Sequence, residues 1–241
     1  MHFMEDRKLY IFGASGHGKV VAELMATNNS KIEALFDDAH ISDPFFERVF
    51  NSKEMIKPAS DVALIIAIGN NKIRKNISER FSEYNFFNSI HKSAHVSPSA
   101  TLGSGTVVML QAIINAAAKI GNHVIINTAA IIEHDCIIED FVHISPNVTL
   151  SGNTYIGKGS HLGSGAIVIP GIKIGKWCTI GAGSVIINDI PDGATVVGNP
   201  GRIINFKNNP ESSVFNEEML KNIEVIKIKT QTDHNSQKDK V

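Results

Sequence analysis

From Val96 to Ile186, every sixth residue is Ile, Leu or Val, and the series never breaks. It runs Val96, Leu102, Val108, Ile114, Ile120, Ile126, Ile132, Ile138, Ile144, Leu150, Ile156, Leu162, Val168, Ile174, Ile180 and Ile186. Four residues beyond each of these stand mostly small or β-branched side chains, such as Ala112, Ala118, Ala130, Cys136, Ser160, Ala166, Cys178 and Ser184. A period of six fits neither a helix nor a single flat strand. It fits a solenoid in which each hexad is a short strand and a turn, and stacked coils bury one continuous core. The branched residue then points inward and the small one packs beside it. Three hexads, about 18 residues, close one triangular coil, and coils stack at about 4.8 Å. Sixteen hexads predict about five coils. Glycines after the branched position (Gly103, Gly121, Gly157, Gly163, Gly175, Gly181) are expected at the sharp corners. Spacing leaves the handedness open, with a right-handed connection as the general expectation.

The preceding residues read differently. "KLYIFGASGHGKVVAELMATNN" is an apolar run, a glycine turn and a helical pattern; "IEALFDD" and "DVALIIAIGN" are further strands, and "KIRKNISERFSEY" is an amphipathic helix. Apolar strands alternating with helices predict a small parallel sheet in a Rossmann-like α/β domain. The expected organisation is an α/β domain over 1–92, an all-β solenoid over 93–203, and a C-terminal helix and tail over 204–241. Ser213 is a possible cap for that helix, and the polar tail from Gln231 is expected to be disordered.

Composition narrows the function. Of 241 residues, 43% are hydrophobic and 20% charged, enough apolar content for a buried core. The net charge of −1, with no basic block, argues against a nucleic-acid or polybasic membrane surface. No apolar run reaches the roughly 18 residues of a membrane helix, and the N-terminus carries no signal core. Two cysteines, Cys136 and Cys178, make no disulfide framework, so a reducing, cytoplasmic setting is expected.

Two stretches carry candidate chemistry. "GASGHG" sets Gly13, Gly16 and Gly18 between a strand and a helix, where backbone N–H groups can receive a phosphate. Its spacing differs from the dinucleotide fingerprint. Asp37 and Asp38 end the next strand, where an acid can bind a ribose, and Gly69 and Asn70 end the third. In "IIEHDCIIEDFVHISP" the hexad register puts His134 and Asp135 outside and Cys136 inside. His143 and His161 lie 18 residues apart at one register position, so they are expected to stack on successive coils.

The repeat, together with "GASGHG", "FDD", "AIGNNKIRKNI", "EHDCIIEDFVHISP" and "VGNPGR", resembles the hexapeptide-repeat nucleotide-sugar N-acetyltransferases of bacteria. These make bacillosamine and perosamine precursors, and sialic acid O-acetyltransferases are more distant relatives. The resemblance covers roughly 7–203 and implies a left-handed β-helix, against the right-handed default. It implies acetyl-CoA as co-substrate, no metal, a nucleotide-linked 4-amino sugar as acceptor, and a homotrimer. His134 becomes the general base, with Asp135 as its orienting carboxylate, where some relatives carry Glu. Ser15, Gly16, His17, Asp37, Asp38, Gly69 and Asn70 are placed against the nucleotide-sugar. His143, Ser164, Ala182 and Arg202 are placed against the cofactor. Three other readings remain open: sugar O-acetylation, a zinc hydratase recruiting His134, His143 and His161, and a non-enzymatic repeat surface.

Overall fold

The computed structural model describes residues 8–39, 45–55 and 61–206. The helix expected after Ser213 and the polar tail lie outside the described residues. Four parallel strands form the N-terminal sheet: β1 (Lys8–Phe12), β2 (Ile32–Phe36), β3 (Val62–Ile66) and β4 (Asn85–Phe86), in the order β2-β1-β3-β4. Helices α1 (Gly16–Thr27) and α2 (Asn71–Arg80) supply the crossovers. The middle strand β3 is buried throughout, as a continuous apolar run in a parallel sheet requires.

The rest is a parallel solenoid on three faces, built of two-residue strands up to Val185–Ile186 and closed by the longer Ala194–Val197 and Arg202–Phe206. Strands pair at 18-residue offsets, as in Ile125 with His143 and Ile131 with Thr149. The first face carries the strands at Ser89–Ile90, Val107–Val108, Ile125–Ile126, His143–Ile144, His161–Leu162 and Thr179–Ile180. The second runs from His95–Val96 through Ile131–Ile132 to Val185–Ile186, and the third from Thr101–Leu102 through Ile137–Ile138 to Lys173–Ile174. From Val108 to Ile186 every residue of the six-step series is buried.

The coil count differs from the five expected. The first face gains Ser89–Ile90 before the series and Ala194–Val197 after it, for about seven coils. The last coil is hidden because the chain is two residues shorter there: Ile180 pairs with Val196 and Ile174 with Ile190, an offset of 16.

The glycines one after the branched residue are not the positive-φ corners. The positive-φ corner residue lies three after the branched one, and it is often not glycine: His123, Asp135, Phe141 and Trp177 all have φ between 53 and 60°. The glycines one after the branched residue serve close approach instead. A Cβ on Gly157 would stand 2.6 Å from the Gly175 carbonyl carbon on the next coil.

The α/β region and the solenoid share a core. Leu9, Ile11, Val21, Leu24, Met25 and Ile65 pack with Val107, Met109 and Ile125 of the first face. The opposite side of the sheet, with Tyr10, Phe12, Phe36 and Leu64, is closed by Ile77 and Phe81 at α2. Helix α2 buries a polar stripe, Asn71, Arg74 and Ser78, while Ile73 is 49% exposed. That inversion follows from what α2 meets. Arg74 donates from Nε to the His123 carbonyl (2.8 Å) and from Nη2 to the Phe141 carbonyl (2.9 Å). Asn71 Nδ2 donates to the Gly159 carbonyl at 3.0 Å. The helix thus docks on three stacked positive-φ corner residues, 18 apart, whose carbonyls it satisfies.

Candidate active site

His134 sits on the corner between the second and third faces, after strand Ile131–Ile132 and before Ile137–Ile138. Its side chain is 61% exposed, and Nδ1 lies 2.8 Å from Asp135 Oδ2. The shorter aspartate therefore does reach the ring. It reaches because Asp135 occupies the positive-φ corner position, φ 59°, which Asp tolerates better than most side chains. A carboxylate only accepts, so Nδ1 carries a proton, and in the neutral ring Nε2 is then the nitrogen with the lone pair. That nitrogen leans over Gly152, one coil on. Cys136 is fully buried, with Sγ 3.1 Å from Thr154 Oγ1; burial raises its pKa, as suits an inward thiol.

His143 and His161 stack as their spacing predicts, ring centroids 4.7 Å apart and planes within 7°. Both nitrogens of His143 have partners inside the chain. Nδ1 donates to the Gly69 carbonyl at 3.2 Å, which leaves Nε2 to accept from Asn127 Nδ2, also at 3.2 Å. Burial, helped by His161, Arg74 and His17, lowers the His143 pKa to about 3. His17 of α1 lies 6.3 Å from the His143 ring, and burial beside Arg74 lowers its pKa to about 4. His134 is not part of this group: the corner it occupies does not border the first face.

The glycine turn sorts into two kinds. Gly13 (φ 115°) and Gly18 are required by packing, since a Cβ on either would strike backbone at 2.6 Å or closer. Gly16 is exposed, and a Cβ there would meet open space. Ser15 is the N-cap of α1, and its side chain makes no capping bond. Asp37 Oδ2 accepts the Ala14 N–H at 2.9 Å, fixing the second strand end against the turn. Asp38 is engaged by Arg80 and Ser52, and these hydrogen bonds lower its pKa although partial burial opposes them. Asn70 caps α2 through the Ile73 N–H at 3.1 Å, and Gly69 offers its carbonyl to His143 and Arg74.

Ser164 and Ala182 are exposed and stack on the corner between the first and second faces. Arg202, on strand Arg202–Phe206, is exposed and donates to the Gly201 carbonyl at 3.0 Å. Among the described residues no group of three or more His, Cys, Asp or Glu side chains is arranged to hold a metal ion. No described helix is long and apolar enough to cross a membrane.

Arg74, Asn71 and His123 escaped the sequence reading. The available signal was the polar spacing 71, 74, 78 on one helix stripe beside an exposed isoleucine. Arg74 is 1% exposed and has lost water on all sides; burial lowers its pKa to about 9, so it stays a cation at neutral pH.

An α/β domain joined to a hexapeptide solenoid, with an exposed His–Asp pair on a corner, defines a class of acyltransferase-like architectures. Residues 8–81 match the PglD N-terminal domain, and 153–188 match the bacterial transferase hexapeptide model of six repeats. A point mutant of perosamine N-acetyltransferase from Caulobacter crescentus, solved with CoA and GDP-perosamine, is 35% identical. The match covers 82% of this chain and 97% of that one, with a TM-score of 0.78. The acetyltransferase domain of PglB from Neisseria gonorrhoeae, solved with acetyl coenzyme A, is 40% identical over 83% of this chain and 100% of its own, TM-score 0.76. The chain belongs to this family of PglD-type hexapeptide acetyltransferases. UDP-N-acetylbacillosamine N-acetyltransferase of Bacillus subtilis is 44% identical over 111 residues, 43% of this chain; the match spans about half, 51%, of that relative.

Proposed function

We propose that the protein transfers the acetyl group of acetyl-CoA to the amine of a nucleotide-linked 4-amino-deoxy sugar. The observation that carries this reading is the exposed His134 ring with its Nδ1 tied to Asp135, which in the neutral ring leaves Nε2 to act as the base. Nε2 takes a proton from the attacking amine as nitrogen adds to the thioester carbonyl. Collapse of the tetrahedral intermediate forms the amide and breaks the C–S bond, and the departing sulfur takes the proton back from the imidazolium, so CoA leaves as the thiol and His134 is neutral again. Asp135 holds the ring and stabilises the imidazolium.

The nucleotide-sugar is assigned to Ser15, Gly16, His17, Asp37, Asp38, Gly69 and Asn70 at the strand ends. The bare Gly16 backbone at the α1 N-terminus supports this, because no packing among the described residues calls for glycine there. Acetyl-CoA is assigned to His143, Ser164, Ala182 and Arg202; the exposed Ser164 and Ala182, stacked on one corner of the solenoid, support this. Since His134 and the α/β domain lie on different sides of one solenoid, we assign the complete site to adjacent subunits of a homotrimer.

One acceptor panel tests the reading. Acetyl-CoA is incubated with UDP-, GDP- and dTDP-linked 4-amino sugars and with free sialic acid, and thiol release is followed. Turnover with an amino sugar, lost in His134→Ala, is expected; preference for sialic acid would move the assignment to O-acetylation. Mixing His134→Ala with Gly16→Asp subunits should restore part of the activity, and no recovery from mixed trimers would count against the shared site.

A further inference from the structure

We infer that Gly152 is a positioning residue for His134: its missing side chain is the space in which the imidazole lies. The inference rests on His134 being the base. Gly152 is 18 residues after His134, so the two occupy one register position on successive coils. A Cβ built on Gly152 stands 2.6 Å from His134 Nε2 and 2.7 Å from Cε1, well inside van der Waals contact. The contact is with the edge of the ring that carries the lone pair.

Backbone strain does not explain this glycine. Gly152 has no positive φ, unlike Gly159, Gly165 and Gly171 on nearby corners, so alanine fits its backbone. Coil-to-coil backbone crowding does not explain it either. The nearest three atoms to a Cβ at Gly157 or Gly163 are all backbone, whereas at Gly152 all three belong to the His134 ring. The ring is exposed and can swing aside, so an added methyl should cost little stability. Swinging aside takes Nδ1 away from Asp135, and Nε2 away from the place it now holds. The substitution should therefore damage catalysis while sparing the fold. A surface glycine of merely structural use would do the reverse.

The experiment compares wild type, Gly152→Ala, His134→Ala and the double variant. Three readouts are taken: thermal midpoint, steady-state rates with acetyl-CoA and the best acceptor of the panel, and ¹⁵N NMR of the histidine rings. Gly152→Ala is expected to keep the wild-type midpoint and KM values, to lower kcat by about 10²-fold, as a misplaced catalytic group does, and to lose the Nδ1–H tautomer of His134. Unchanged kcat and an unchanged tautomer would overturn the inference. So would an equal fall in midpoint with and without the His134 ring, because the methyl would then be striking backbone. Near-normal turnover in His134→Ala would instead remove the general-base reading; the tautomer comparison still reports whether Gly152 seats the ring.

Discussion

Arg74 crosses from helix α2 to the solenoid and donates its Nε to the carbonyl of His123 at 2.8 Å. The same guanidinium serves the carbonyls of Ile68, Gly69 and Phe141 and the Asn71 side chain. Among the described residues no carboxylate pairs with it; carbonyl dipoles balance the charge. Arg74→Met would strand several buried acceptors, each costing about 1–3 kcal/mol. We expect a loss of at least about 3 kcal/mol, and a smaller one for Arg74→Lys, which keeps the charge but loses the fork. Urea unfolding measures it. The single tryptophan, Trp177, has Lys72 Nζ 6.0 Å from its ring centroid and reports on this seam.

Acid should loosen the same seam. His17, His123 and His143 have pKa values lowered to about 4, 4 and 3, chiefly by burial. Above the unfolded value of 6.5 both states are neutral and nothing is lost. As pH falls below 6.5 the unfolded chain takes up protons that the folded chain refuses, so stability drops until the folded values are passed. Each pKa unit is worth about 1.4 kcal/mol for a fully buried group, so the three together give a fall of up to about 5 kcal/mol between pH 7 and 5. Urea midpoints at several pH values test this, and His123→Phe should flatten the curve.

Two kinds of glycine predict two kinds of damage. Gly157→Ala pushes a methyl into the Gly175–Lys176 backbone at 2.6–2.7 Å, so neighbouring coils must part. Gly165→Ala meets nothing within 4 Å but sits at φ 70°. The second should cost about 1–2 kcal/mol, the left-handed penalty; the first should cost more and lower the unfolding midpoint further. Equal midpoints for the two variants would contradict the close-approach reading of Gly157.

The solenoid was legible because its burial rule repeats: from Val108 to Ile186 each sixth residue must be apolar, and each is buried. The His143–His161 stack follows from the same arithmetic. The last coil was not legible because Ile190 and Val196 follow an offset of 16, so the step of six lands on Asp192; at the other end Ile90 keeps both the step of six and the offset of 18. The docking of α2 was hidden for a different reason. Hydrophobic periodicity finds apolar interfaces, and this one is built from Arg74 and Asn71 against carbonyls. The corner glycines misled because positive φ is tolerated there by His123, Phe141 and Trp177 within a repeating hydrogen-bond ladder.

The thiol of Cys136 should be inert. It is fully buried and bonded to the Ser151 carbonyl (3.3 Å) and Thr154 Oγ1 (3.1 Å). Burial raises its pKa, and the thiolate is the nucleophilic form. Cys136→Ser is expected to keep near-normal turnover. Both cysteines should react with a thiol reagent only on unfolding. Fast labelling of Cys136 in the native protein, with matching loss of activity, would revive a covalent acyl-enzyme route.

Asp135 carries two duties that one pair of substitutions separates. Its backbone holds the positive-φ corner at 59°, and its carboxylate holds His134 Nδ1 at 2.8 Å. Asn accepts the left-handed conformation readily and can still offer Oδ1 to the ring, but it lacks the charge that favours an imidazolium. Asp135→Asn should therefore leave stability within about 0.5 kcal/mol and lower kcat at least about tenfold. Asp135→Ala loses the hydrogen bond as well as the charge, and adds strain at the corner. It should lose more kcat than Asp135→Asn and also about 1 kcal/mol of stability. Steady-state rates beside urea midpoints for both variants decide the matter. Equal kcat for wild type and Asp135→Asn would mean that the carboxylate orients the ring without acting through its charge.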